Sequence, residues 1–218
     1  MTVKKLLTQI DVATLARSYN ILDYAGGLRS LLGHAYRGSN LDIYTKPDLH
    51  WLISEILLEQ YKGEPTLKAK LVELFIHKEV TAAFEIKVNT SRADFLTING
   101  ESKSFEIKSE LDNLQKLPKQ ISDYRQVFDY NYLVIDEKHY KKALPLIPAH
   151  YGVMVLHQRT LTEDRSGILN SHLNPRAQLQ LFTKKEFSKT FRIPGITLEE
   201  VCMNFDAGII AKGMHAQD

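Results

Sequence analysis

Apolar positions recur at helical spacing up to Phe75, and beyond Lys78 the period shortens to that of strands. Leu6, Ile10 and Leu15 predict a helix from about Val3 to Tyr19. Gly26-Gly27 reads as a turn, and Leu28, Leu31 and Leu32 begin a second helix that Gly38-Ser39-Asn40 ends. Pro47-Asp48 opens a third helix, with Trp51, Leu52, Ile56 and the adjacent Leu57-Leu58 as its apolar face and Gly63 just past its end. Pro65-Thr66 opens a fourth, with Leu67, Leu71, Leu74 and Phe75 on one side.

The strands come next. Val80–Val88, Ala93–Ile98 and Ser104–Lys108 are separated by Asn89-Thr90-Ser91 and Asn99-Gly100. Asn-Gly is a strong hairpin signal because both residues tolerate the positive φ of a tight turn. Three antiparallel strands in succession predict a meander. A polar connection, Ser109–Leu117, leads to Pro118 in the first turn of a helix carrying Ile121, Tyr124 and Phe128. Tyr130–Ile135 reads as a buried strand that brings Phe128, Tyr130 and Tyr132 towards the core. Glu137–Leu144 reads as a short helix, Pro145 and Pro148 bracket a loop, and Gly152–Leu156 is a further strand. Leu173–Thr190 has helical character interrupted at Pro175. Helix, three strands, helix, strand, helix, strand is the order of an α/β fold with a mixed sheet and helices on its faces. The expected organisation is a helical N-terminal region (1–64), a core (65–158) and a mostly helical C-terminal extension (159–218).

Composition narrows the classes. A chain of 218 residues, 44% hydrophobic and 25% charged, is long enough for one globular domain with embellishments. No run of about 18 apolar residues is present, and Gln9 and Asp11 interrupt the signal-like start, so a cytoplasmic protein without a membrane span is expected. Cys202 is the only cysteine, which excludes an internal disulfide and a multi-cysteine zinc site. The eight histidines show no metal-ligand spacing on a helix face, and neither a phosphate-binding P-loop nor a serine-hydrolase motif occurs. A net charge of +2 is too small to announce a nucleic-acid partner. From His157 to Arg192 there are seven Lys/Arg against three acids, followed by an acidic tail. That segment is a backbone-contacting surface or simply a solvated face.

The chemistry concentrates between Arg92 and Tyr124. Asp94 is followed, twelve residues on, by Glu106-Ile107-Lys108. On a strand Glu106 and Lys108 share a face while Ile107 turns to the core. Asp94 lies on the preceding strand, so two carboxylates can approach a hard cation such as Mg²⁺, with the Ile107 carbonyl as a further ligand. Such an ion activates a bound water and polarises a phosphate, and Lys108 can orient that water or stabilise developing charge. If the first turn centres on Thr90-Ser91, Asp94 faces Lys87 and Glu85 is a diagonal neighbour about 7–8 Å away. A one-residue slip would remove Glu85. Glu-Ile-Lys occurs twice, at Glu85-Ile86-Lys87 and Glu106-Ile107-Lys108, and by itself suits a solvated strand edge. The second copy is distinguished by Asp94 across a recognisable hairpin. Gln120 and Tyr124, four apart on a helix, share a face that can overhang the site. Their bland reading is a polar helix face with a half-buried tyrosine.

Asp94, Glu106-Ile107-Lys108 and Gln120-Ile121-x-x-Tyr124 together resemble the PD-(D/E)XK nuclease superfamily, the glutamine–tyrosine helix being similar to its RecB-like and lambda-exonuclease-like branch. The longer string also looks like a group of small bacterial and phage-associated proteins with this core, through Glu85, Arg92-Ala93-Asp94, Phe105–Asp112 and Leu117-Pro118-Lys119-Gln120. The resemblance runs from about Ala82 to Leu156, and Ala93 stands where the superfamily has its proline. It implies a restriction-endonuclease-like αβββαβ core with helical extensions at both ends. It also implies a Mg²⁺ site (Mn²⁺ as substitute) at Asp94 and Glu106 with a glutamate near Glu85, catalytic Lys108, and accessory Gln120 and Tyr124; the Ile107 carbonyl is the further ligand that the strand geometry offers. The expected activity is a deoxyribonuclease, in phage defence or DNA processing, and a homodimer is compatible with cutting both strands. Two alternatives stay open: a non-catalytic binding protein on a nuclease fold, such as an immunity or regulatory factor, and a nuclease acting on RNA.

Overall fold

The computed structural model describes residues 12–33, 40–183, 185, 186 and 189. The start of the first predicted helix, Gly38-Ser39, Cys202 and the acidic tail lie outside the described residues. The chain divides into two compact units, Met1–Ala69 and Lys70–Asp218.

The first unit is helical: α1 (Val12–Ser18), α2 (Ala25–Gly33), a 3-10 turn at Leu41–Ile43, α3 (Lys46–Gln60) and the beginning of α4 (Glu64–Glu73). Leu15, Leu28, Leu32, Leu49, Ile53 and Ile56 form its core. Thr45 and Asp48 make a capping box at the start of α3, with Pro47 in the first turn. The Thr45 hydroxyl holds the Asp48 carboxyl below its ordinary range. Two expectations change. Gly26-Gly27 is not a turn but lies inside the first turns of α2, because burial of Leu28 and Leu32 outweighs the weak helix propensity of glycine. Trp51 is exposed, and α3 buries Leu49, Leu52, Ile53 and Ile56 instead.

The second unit is built on a six-stranded mixed sheet in the order β1-β2-β3-β4-β5-β6. The strands are β1 (Thr81–Val88), β2 (Ser91–Asn99), β3 (Glu101–Lys108), β4 (Tyr130–Asp136), β5 (Gly152–His157) and β6 (Thr160–Arg165). The expected meander is present: β1, β2 and β3 pair antiparallel. β3, β4 and β5 then pair parallel, and such pairs need crossovers. The helices α5 (Leu117–Tyr124) and α6 (Glu137–Ala143) supply them. β6 returns antiparallel on β5, and a short helix α7 (Pro175–Leu179) follows, capped by Asn174. Pro175 starts this helix rather than breaking one, since a first-turn proline has no N–H to satisfy.

The register sorts the two faces of the sheet. Phe84, Phe95, Phe105 and Tyr132 stand opposite one another on four consecutive strands. Their rings follow at 5.0, 5.6 and 5.2 Å between centroids. Gly152 continues this row on β5, and the Tyr132 ring occupies the space that a Cβ there would need. Alternation sends Asp94, Glu106 and Lys108 to the other face. That face is where Leu117 and Ile121 of α5 pack with Leu133, Ile135 and Val153. The helix is therefore fixed above the strand ends that carry the charged residues.

Candidate active site

The β1–β2 hairpin turns tightly, with Val88 opposite Ser91 and Lys87 opposite Arg92. The register differs by two residues from the expected one, since a turn centred on Asn89-Thr90 takes the place of one centred on Thr90-Ser91. Asp94 consequently falls opposite Glu85, between the paired positions Phe84↔Phe95 and Ile86↔Ala93. Glu85 has φ 57°, a left-handed conformation that costs a side-chain-bearing residue about 1 kcal/mol or more. The kink interrupts the ladder and brings carboxylate oxygens of Glu85 and Asp94 within 4.8 Å of one another. Arg92 lies 3.9 Å from the Glu85 carboxylate.

On its other side, β2 parts from β3. Their pairing stops at Phe95↔Phe105, and the Ile107 N–H donates to the Asp94 Oδ2 at 2.6 Å instead of to a strand carbonyl. A strand residue turns its N–H and C=O to the same side, so the Ile107 carbonyl also faces the Asp94 side. The split between β2 and β3 gives Asp94 access to both neighbouring strands.

Glu106 and Lys108 meet on the α5 face of β3. Both are buried, at 2% and 8% exposure, and Lys108 Nζ donates to Glu106 Oε1. Tyr124, on α5, donates its hydroxyl within reach of two acceptors, Glu106 Oε2 at 2.8 Å and the Arg92 carbonyl at 2.5 Å. A phenol has one proton, so the two acceptors share it. The Gln120 side-chain amide acts downward on both the Glu106 carboxyl and the Tyr124 hydroxyl. Burial raises the Glu106 carboxyl above its ordinary value, and Lys108, Tyr124 and Gln120 only partly offset this. Burial and the Glu106 charge push the Tyr124 hydroxyl far above the usual tyrosine range, so it serves as a donor and not as a phenolate.

A second anchor holds α5 to the hairpin. Asp123 accepts from Ser91 at 2.6 Å, Thr90 at 3.2 Å and Lys119 at 3.3 Å. Although burial acts upward, these bonds bring the Asp123 carboxyl below its ordinary value. Beside this anchor is a cavity of about 520 Å³ whose lining includes Asp94, Gln120, Lys87, Arg92, Lys116 and Lys119.

Each residue singled out from the sequence thus has a place. Asp94 and Glu85 converge, and Ile107 is bound to Asp94 through its amide. Glu106 and Lys108 form a buried pair, which Gln120 and Tyr124 cover. Sequence reasoning did not single out Asp123, Lys87, Lys116 or Lys119. The Lys119–Asp123 spacing of four was a visible signal for one ion pair. Among the described residues no helix is long and apolar enough to cross a membrane.

No curated protein matches the chain. Among solved structures, the chain is similar to the SPO1766 protein of unknown function from Silicibacter pomeroyi. The match covers 57% of this chain and 83% of that one, at 17% identity and a TM-score of 0.39. The sequence pattern of one family matches residues 58–204, more than half of the chain, and the chain belongs to that family, Bacteriophage P4 protein cII.

Proposed function

We propose that this protein is a metal-dependent nuclease that hydrolyses phosphodiester bonds of DNA, on a restriction-endonuclease-like αβββαβ core within its mixed sheet. The observation that carries the reading is the convergence of Glu85 and Asp94 at the β1–β2–β3 opening, beside the buried Glu106–Lys108 pair. The donor chemistry fits a hard dication: carboxylate oxygens within 4.8 Å of each other and the Ile107 carbonyl turned to the same side. Asp94, Glu85 and Ile107 would hold Mg²⁺ or Mn²⁺, with Glu106 as the adjoining carboxylate. Bound there, the ion would polarise the scissile phosphate and supply a more acidic water.

The chain's own groups account for the rest. Lys108, poor in solvent contact, offers N–H donors to an attacking water or to the charge that builds on phosphate oxygens, where low exposure strengthens the interaction. Tyr124 orients Glu106 and thereby holds Lys108 in place. Asp94 is fixed by the Ile107 amide, so its carboxylate needs little reordering. A second reading, a binding protein without turnover, draws on one observation: both Glu106 oxygens are already engaged by Lys108 and Tyr124.

Incubation with linear and circular DNA in Mg²⁺ or Mn²⁺ separates the readings. Wild type should cut, EDTA should stop it, and Asp94→Asn should be inactive while folded. DNA left uncut by folded wild type in both metals would favour the binding protein.

A further inference from the structure

We infer that the cavity beside Asp94 is the track for the nucleic-acid backbone flanking the scissile phosphate, with Lys87 and Lys116 as its phosphate contacts. The inference deepens the nuclease reading and rests on it. Four cations, Lys87, Arg92, Lys116 and Lys119, line this cavity with one carboxylate, Asp94. The whole chain has a net charge of only +2, so positive charge is concentrated at this place. The cations come from separate elements: Lys87 from β1, Arg92 from β2, Lys116 from the residue preceding α5 and Lys119 from α5. The fold assembles them around Asp94, with no contribution from a run of basic sequence.

Their partners divide them into two kinds. Lys119 is paired with Asp123 and Arg92 lies against Glu85. Lys87 and Lys116 have no acidic partner among the described residues. Cations gathered round one concavity repel each other, and Asp94 is the one lining carboxylate set against four of them. A polyanion relieves them by displacing its own counterions, which is the main source of sequence-independent affinity for nucleic acid. The backbone is the chemistry shared by DNA and RNA, so the track does not itself choose between them.

The test compares full-length wild type, Lys87→Ala/Lys116→Ala and a control, Lys141→Ala/Lys142→Ala, which removes two exposed lysines of α6. Binding of a fluorescein-labelled duplex DNA and of a single-stranded RNA is followed by anisotropy in EDTA across a salt series. Single-turnover DNA cleavage in Mg²⁺ is measured with the protein in saturating excess over DNA. The Lys87/Lys116 variant should unfold at the wild-type temperature and bind both probes roughly tenfold or more weakly. Its plot of log affinity against log salt should be flatter by about one per lost duplex contact. Its cleavage rate at saturation should stay near wild type, and the control should match wild type throughout. Unchanged affinity and salt slope in a cleaving enzyme would overturn the track and leave the nuclease reading intact. Weakened binding in a protein that never cleaves would support the track and remove the nuclease reading.

Discussion

The tripeptide Glu-Ile-Lys occurs twice in this chain with different physical fates. Glu106-Ile107-Lys108 lies on β3, an interior strand, where Glu106 and Lys108 are buried against each other under α5. Glu85-Ile86-Lys87 lies on β1 at the edge of the sheet, where Glu85 and Lys87 are exposed and Glu85 bends the strand. Asp94 stands on β2 between them, opposite Glu85 on one side and bonded to the Ile107 amide on the other. Position in the sheet decides what the same three residues do. In the proposed nuclease, the interior copy would supply a desolvated lysine for chemistry, and the edge copy a carboxylate to a cation and a solvated lysine to a polyanion.

The comparison breaks most readily at the two lysines. Lys108→Ala should slow the cleavage step by about 100-fold or more, the scale of losing one donor to a charged transition state. Lys87→Ala should leave the maximal rate near wild type and raise the protein concentration needed to reach it. Single-turnover kinetics on one substrate distinguish the two, and equal losses at both positions would erase the distinction.

Stability gives the next contrast. Glu106→Gln leaves Lys108 buried without its anion and should destabilise the protein by about 3 kcal/mol. Pairing it with Lys108→Met should recover most of that loss. Glu85→Gln, at an exposed position, should change stability by less than about 0.5 kcal/mol. Urea unfolding of the four variants measures all of this, and additive effects of Glu106→Gln and Lys108→Met would refute the coupling.

A smaller effect concerns backbone strain at the edge copy. Glu85→Gly should stabilise the fold by about 0.5–1 kcal/mol because glycine accepts φ 57° freely. The same change should weaken Mn²⁺ binding in calorimetry. Glu85→Ala should weaken binding equally without the gain in stability.

The smallest effect is a pH dependence. Burial raises the Glu106 carboxyl above its ordinary value of 4.5, so the folded protein holds this proton more tightly than the unfolded chain. The resulting stability is fully present below pH 4.5 and is lost as pH rises through the folded-state value. In EDTA, wild type should lose stability relative to Glu106→Gln/Lys108→Met over that window. Wild type gaining stability relative to the double variant as pH rises would reverse the sign and contradict the raised Glu106 carboxyl.

Much of this architecture was legible in the sequence because its signals are local. Asn99-Gly100 announced the β2–β3 turn, and Pro47-Asp48 announced α3. The change of period after Lys78 marked the sheet. What escaped is what the chain decides over longer distances. β6 offers the sequence Thr-Leu-Thr-Glu-Asp-Arg, with one apolar residue, and follows a turn whose positive-φ residues are Gln158 and Arg159 with no glycine to mark it. It is a strand because β5 pairs with it. The β1–β2 register was misjudged because Asn89-Thr90-Ser91 permits more than one turn centre. That displacement decides whether Glu85 faces Asp94 directly or diagonally. At the site, Asp94, Glu106, Lys108, Gln120 and Tyr124 were recognisable from order and spacing. The cation-lined cavity was not, since its cations come from β1, β2 and the start of α5, which only the fold brings together.

Single-turnover cleavage of a supercoiled plasmid in Mg²⁺, with wild type beside Lys108→Ala, tests the central claim most directly. Wild type should convert the plasmid to nicked or linear product, EDTA should abolish the conversion, and folded Lys108→Ala should be at least about 100-fold slower. A Lys108→Ala variant that cuts at the wild-type rate would contradict the assignment of chemistry to the buried copy.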